Sequence, residues 1–203
     1  MNSVEIENGI IHIYENDDRL AKVIDASEKC RLKPKKDYFN SLLKAIVQQQ
    51  LSIAAASSIY SKFISYFDGK FDPREILLAP DTELRKLGLS NAKAKYVKNL
   101  SIKVLNGELI LKGISAKPDE EIIKELTVVK GIGVWSSHMF LIFTLGRLNV
   151  LPVGDLGIRR AAMNTYNLRK LPDEEKLLKL SEKFNWAPYN SIASWYLWKS
   201  LEL

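Results

Sequence analysis

From Tyr38 onward, apolar residues recur at spacings of three and four almost to the last residue, the repeat of helices that each turn one face inward. Segments 38–49, YFNSLLKAIVQQ, and 52–67, SIAAASSIYSKFISYF, show it clearly, with Ser52 placed to cap the second. Further helices are expected at 73–79, 81–87, 90–106, 119–128, 134–145, 156–166, 173–184 and 189–201, and an earlier one near 17–30. Pro73, Pro118 and Pro172 mark starts, and Asn106–Gly107 marks a stop. Only 4–14, VEIENGIIHIY, alternates like β structure, with Asn8–Gly9 as a hairpin turn. The expected class is all-α with a small N-terminal β remnant. Its expected architecture is two helical bundles flanking a cleft, one from 38–155 and one joining 1–37 to 156–203.

Composition narrows the chemistry. Cys30 is the only cysteine in 203 residues, which excludes an internal disulfide, a cysteine-ligated zinc site and an iron–sulfur cluster. His12 and His138 are too few and too separated for a histidine metal site. The longest apolar stretch, around Met139 to Leu145, is too short to span a bilayer, and no export signal opens the chain. A protein of the cytoplasm or nucleoid is expected, with no membrane contact. The formal charge of +6 favours a polyanionic partner without proving one.

Residues 126–160, LTVVKGIGVWSSHMFLIFTLGRLNVLPVGDLGIRR, set a glycine-bracketed hairpin between two helical runs and a single carboxylate, Asp155, at the start of a third. Gly131 and Gly133 permit a turn whose amide N–H groups face outward, an arrangement suited to one phosphate. Leu126, Val129 and Ile132 supply an apolar side to pin the hairpin, while Lys130 offers charge. Taken alone, the glycines also read as an ordinary interhelical loop, and Asp155 as a simple helix cap. Together they suggest a backbone clamp for a phosphate and an acid beside the sugar it carries.

Gln48, Gln49 and Gln50 end one helix; three amides there read either as a solvated end or as a side chain that fills the gap left by a flipped nucleotide. Trp135 and Tyr189 are candidates to stack on a planar ligand, with Met139 on the same helical face as Trp135. Trp186, Trp195 and Trp198 read as core and cleft wall. Lysines 86, 93, 95, 98, 103 and 112 with Arg85 make the densest basic region, mostly a solvated face. Near Gly88, Ser90 and Lys93 it offers a second grip on backbone phosphate.

These residues resemble the helix-hairpin-helix DNA glycosylases, and within them the AlkA-like 3-methyladenine DNA glycosylase II family. The likeness lies in AIVQQQLS at 45–52, LGLSNAKAKYV at 87–97, LTVVKGIGVWSSHMF at 126–140, VLPVGDLGIRR at 150–160 and WAPYNSIASWYLW at 186–198, in the family's order. The resemblance implies that Val129, Lys130, Gly131, Ile132 and Gly133 form the phosphate-binding hairpin. A sodium or potassium ion is often held there in this family, and the carbonyls of Val129 and Ile132 would hold it. No other cofactor is implied. Asp155 falls on the catalytic aspartate, Trp135, Tyr189, Met139 and Trp186 on the base pocket, and Gln50 with Leu51 on the wedge that plugs the duplex. Lyase-type relatives carry a Schiff-base lysine where this chain has Trp135, so base removal without strand cleavage is implied.

The activity so implied is hydrolysis of the N-glycosidic bond of an alkylated purine, of the 3-methyladenine or 7-methylguanine class, in double-stranded DNA, by a monomer that leaves an abasic site. The sugar gains oxocarbenium character at the barrier, where a carboxylate stabilises it most. Alternatives are a glycosylase for deaminated or etheno purines on the same scaffold, a non-catalytic helix-hairpin-helix DNA binder, and an RNA- or protein-binding bundle.

Overall fold

The computed structural model describes residues 3–203, the side chain of Ile53 excepted, and among them there is no strand. Helices α1 (Ser3–Asn16) and α2 (Asp18–Ala26) come first. Then come α3 (Tyr38–Gln48), α4 (Ile53–Tyr66), α5 (Pro73–Leu78), α6 (Asp81–Lys86), α7 (Asn91–Leu105), α8 (Asp119–Thr127) and α9 (Val134–Phe140). The last three are α10 (Leu156–Thr165), α11 (Glu174–Lys183) and α12 (Asn190–Ser200). A 3-10 turn, Ile114–Ala116, precedes α8, and α9 runs on into a π-helical turn, Leu141–Leu145. None of these helices is long and apolar enough to cross a membrane.

Local chemistry sets the helix starts. Asp37, Ser52, Asp72, Ser90 and Asp173 each accept a backbone N–H from the first turn of the helix they precede. Such caps are worth about 1 kcal/mol apiece. Pro80 and Pro118 stand at the entrances of α6 and α8.

The expected β remnant is absent: residues 3–16 are helix α1. The apparent alternation of 4–14 hides a second pattern, Ile6, Gly9, Ile10 and Ile13, spaced for one helical face. Gly9 is not a turn residue but a close-packing point. A Cβ there would run into Ile192 and the ring of Tyr189 on the α12 side. Packing thus overrides the local β preference, as it commonly does for short segments.

The chain divides into two compact units, Lys35–Phe140 and a split one that joins the residues up to Pro34 to Leu141–Leu203. Residues 141–155, assigned from sequence to the central bundle, fall in the split unit. The Ser191 hydroxyl accepts the Val150 N–H at 3.0 Å, and the Ser191 N–H donates to Leu148 O at 2.9 Å. Those bonds fasten the segment to the start of α12.

In the continuous unit α3 packs on α4, α7 and α9, α5 packs on α7, and α8 packs on α9. Leu42, Leu43, Ile46 and Val47 of α3 are buried, as are Phe63 of α4, Val97 and Leu100 of α7 and Leu126 of α8. In the split unit α12 packs on α1, α2 and α10. Its polar centre is Asp17, fully buried. One carboxylate oxygen caps α2 through Arg19 N and Leu20 N; the other accepts Tyr166 Oη at 2.5 Å and Trp186 Nε1 at 2.8 Å. Four donors satisfy a carboxylate whose burial would otherwise be costly.

Candidate functional site

Within Lys35–Phe140 the connection from α8 to α9 is a tight turn. Val129 N donates to Leu126 O at 3.1 Å and Ile132 N to Val129 O at 3.0 Å. The side chains of Val129 and Ile132 are buried and Lys130 is exposed, as their types require. Gly131 has φ +91, and a Cβ on it would strike the ring of Tyr96. Glycine is therefore needed on both conformational and steric grounds.

Which amides face outward differs from the expectation. Lys130 N donates to Asn99 Oδ1 at 2.8 Å, so the N–H groups of Val129, Lys130 and Ile132 are all engaged inside the protein. A clamp built from this turn reduces to the amides of Gly131 and Gly133, with the Lys130 side chain alongside. Its carbonyls offer oxygen ligands only, and among the described residues no cluster of three His, Cys, Asp or Glu exists. That donor set fits an alkali-metal ion rather than a transition metal. The Gly131 carbonyl is already taken by Gln49, and Val129 O accepts the Ile132 N–H with a lone pair to spare.

Sequence groups Gln49 with Gln48 and Gln50 and gives no sign that its amide turns inward. Nε2 donates to Gly131 O at 2.8 Å and to Ser136 Oγ at 3.3 Å. Gln50 is exposed with φ +53, and Leu51 beside it is half-buried.

Lys93 corrects a second expectation. Its ammonium donates to Val47 O at 2.8 Å and Gln49 O at 2.6 Å, closing the C-terminal end of α3. Desolvation there lowers its pKa below the usual lysine value. The side chain is a structural clasp with two of its three N–H donors committed inside the protein. Ser90 caps α7 through Lys93 N at 3.2 Å. Gly88, at φ +107, sits against Ile59. Together with Thr82 and Arg85 they line a shallow groove.

Trp135 is 47% exposed in the first turn of α9, with Met139 half-buried one turn on. Ser136 and Ser137 point the other way and are buried. Burial lowers the pKa of His138, a shift that Asp119 opposes, so its imidazole is neutral at neutral pH.

In the split unit Asp155 is 8% exposed and caps α10. Its Oδ1 accepts the Ile158 N–H at 2.7 Å and the Trp198 indole N–H at 3.1 Å. Asp155 N in turn donates to Pro152 O at 2.8 Å, which fixes the preceding turn. Trp198, read from sequence as wall or core, is thus a direct partner of the candidate catalytic carboxylate. Tyr189 is half-buried, with its ring against Gly9 and 5.2 Å from the ring of His12. Trp186 is a plain correction. It is fully buried with its N–H committed to Asp17, so it presents no face to a base.

Residues 43–186 match the family described as HhH-GPD superfamily base excision DNA repair protein. DNA-3-methyladenine glycosylase 1 of Schizosaccharomyces pombe is 35% identical over 192 residues, covering 93% of this chain and 83% of that protein. A putative DNA-3-methyladenine glycosylase of Bacillus subtilis is 33% identical over 81% of this chain and 59% of its own length. The solved structure of the S. pombe 3-methyladenine DNA glycosylase in complex with abasic DNA superposes with a TM-score of 0.85 at 33% identity, covering 97% of each chain.

Proposed function

As the chain belongs to the HhH-GPD superfamily of base excision DNA repair proteins, we propose that it is a DNA glycosylase. It flips alkylated purines out of double-stranded DNA and hydrolyses their N-glycosidic bond, leaving an abasic site. The observation that carries this reading is the state of Asp155. Two carboxylates are buried among the described residues, Asp17 and Asp155. Asp17 has both oxygens engaged by four protein donors and no exposure. Asp155 retains exposure at the mouth of α10.

In this reading Asp155 stabilises the positive charge that the deoxyribose gains as the base departs. An electrostatic group of that kind is worth ~3–4 kcal/mol, about a thousandfold in rate. Alkylated purines such as 3-methyladenine already carry the charge that makes them good leaving groups, so no acid is needed to protonate them. Trp135, 47% exposed, attracts such a cationic ring by ~1–2 kcal/mol once water is excluded. Met139, one turn on from Trp135, is a further base contact in this reading, and Tyr189 is assigned the same role on the resemblance alone. Damaged bases stack and pair less well, which lowers the cost of flipping them.

The amides of Gly131 and Gly133 bind a backbone phosphate. The carbonyls of Val129 and Ile132 would hold a sodium or potassium ion facing that phosphate, adding positive charge there. Gly88 and Ser90 meet a second stretch of backbone, and Gln50 with Leu51 enters the duplex. Trp135 stands where a Schiff-base lysine would be needed for strand cleavage, so the enzyme is a monofunctional hydrolase. It acts as a monomer wherever the cell keeps its DNA, in cytoplasm or nucleoid.

The test is release of bases from alkylated DNA by the wild type and Asp155→Asn, beside a strand-nicking assay. Asn preserves the cap on α10 because it is as good an N-cap as Asp. Base release by the wild type, an about thousandfold loss in the variant and no nicking are expected. Equal rates from both proteins would overturn the assignment of Asp155.

A further inference from the structure

Capping explains one hydrogen bond to Asp155 Oδ1 and leaves another over. The Ile158 N–H at 2.7 Å is the ordinary bond of a helix-capping aspartate, made within its own first turn. The second donor, Trp198 Nε1 at 3.1 Å, comes from α12, 43 residues further on. A cap does not need it. The indole plane is itself fixed by the ring of Phe143, 5.6 Å away.

A glycine makes this approach possible. Gly157 lies inside α10 with no left-handed backbone angle, so its identity is not demanded by conformation. Glycine is a poorer helix former than alanine. Space accounts for it: a Cβ would lie 3.0 Å from Asp155 Oδ1, 3.3 Å from Trp198 Cδ1 and 3.4 Å from Trp198 Nε1. An alanine would stand between the indole and the carboxylate.

We propose that Trp198 is a positioning residue for the glycosylase reaction, with Gly157 as the gap that admits it. Its N–H holds Asp155 in the one rotamer that presents the carboxylate to the sugar. The helix cap holds Oδ1 from within its own first turn, and the indole N–H adds a restraint on the same oxygen from another helix. Preorganised geometry of this kind lowers the barrier because no reorientation is needed at the moment of reaction. The inference rests on the reading of Asp155 as the reacting carboxylate.

The experiment compares Trp198→Phe and Gly157→Ala with wild type, using single-turnover release of 7-methylguanine from methylated duplex DNA, the Kd for an abasic-site duplex, and chemical denaturation. Trp198→Phe keeps an aromatic ring against Phe143 and deletes the donor. Each variant is expected to lose roughly ten- to a hundredfold in rate, the range for a hydrogen bond to a charged group, with Kd unchanged. In an Asp155→Asn background neither substitution should slow the residual reaction further. Wild-type activity with undiminished rates in both folded variants overturns the proposal, as does a full further loss in the Asp155→Asn background. Should Trp198→Phe fail to fold, Gly157→Ala, which keeps both partners, decides the question by the same rate comparison. A wild type that releases no base defeats the glycosylase reading itself, and this proposal with it.

Discussion

Gln49 donates from Nε2 to the carbonyl oxygen of Gly131 at 2.8 Å, tying the end of α3 to a turn 82 residues further along the chain. The same residue's carbonyl accepts the Lys93 ammonium at 2.6 Å. Three segments proposed to meet DNA, the Gln50 turn, the glycine turn and the entrance of α7, are therefore braced to one another inside the continuous unit.

Adjacent glutamines should separate stability from function. Gln49→Ala leaves Gly131 O without its donor and should destabilise the protein by ~1–2 kcal/mol in a denaturant titration. Gln50→Gly should leave stability unchanged or raise it by ~0.5–1 kcal/mol, since it relieves a left-handed non-glycine residue. Base release from duplex DNA by Gln50→Gly should nonetheless fall, and a larger loss on duplex than on single-stranded substrate is the measurement that identifies a wedge.

The two glycines of the turn should behave differently. Gly131→Ala meets the Tyr96 ring at an unfavourable φ of +91 and should cost ~2–4 kcal/mol, visible as a clear drop in Tm. Nothing lies within 4 Å of a Cβ built on Gly133. Gly133→Ala should fold with near wild-type stability and still bind DNA more weakly, because its methyl keeps a phosphate off the amide. Binding isotherms at two salt concentrations check this.

Trp186→Phe should reduce stability by about 1–3 kcal/mol, because Asp17 loses a buried donor. The single-turnover rate per folded molecule should stay at the wild-type value. A rate loss without destabilisation would return Trp186 to the base pocket.

Burial raises the Cys30 thiol pKa from 9.0 to about 11, with desolvation as the leading cause and a backbone hydrogen bond from Leu32 opposing it. The unfolded chain therefore releases this proton first as pH rises. Stability attributable to Cys30 is complete below pH 9 and falls between pH 9 and about 11, by roughly 2–3 kcal/mol in total. Denaturation of wild type and Cys30→Ala across that interval should show the wild type losing stability faster.

Much of the helical pattern is legible because caps and periodicity act locally: Ser52 and Ser90 announce α4 and α7 without help from the rest of the chain. The N-terminal segment misleads because VEIENGIIHIY satisfies a two-residue repeat and a helical stripe equally well, and only the contact of Gly9 with Ile192 and Tyr189 decides between them. At the site, the glycine turn and Asp155 stand out by residue type and order. The inward roles of Gln49, Lys93 and Trp198 do not, since each depends on a partner 43 or more residues away. Nor can spacing show that Asn99 engages the Lys130 amide.

Asp17 receives hydrogen bonds from Tyr166 and Trp186, 149 and 169 positions later. On the ribosome, the opening helices emerge long before the groups that neutralise that buried acid exist. Lys35–Phe140 has its own core and can fold first during synthesis, whereas α1 and α2 must wait, exposed, until Tyr166, Trp186 and α12 have been made. Translation speed through residues 141–203, and chaperone occupancy of α1 and α2, therefore bear on yield in a way that equilibrium stability does not reveal.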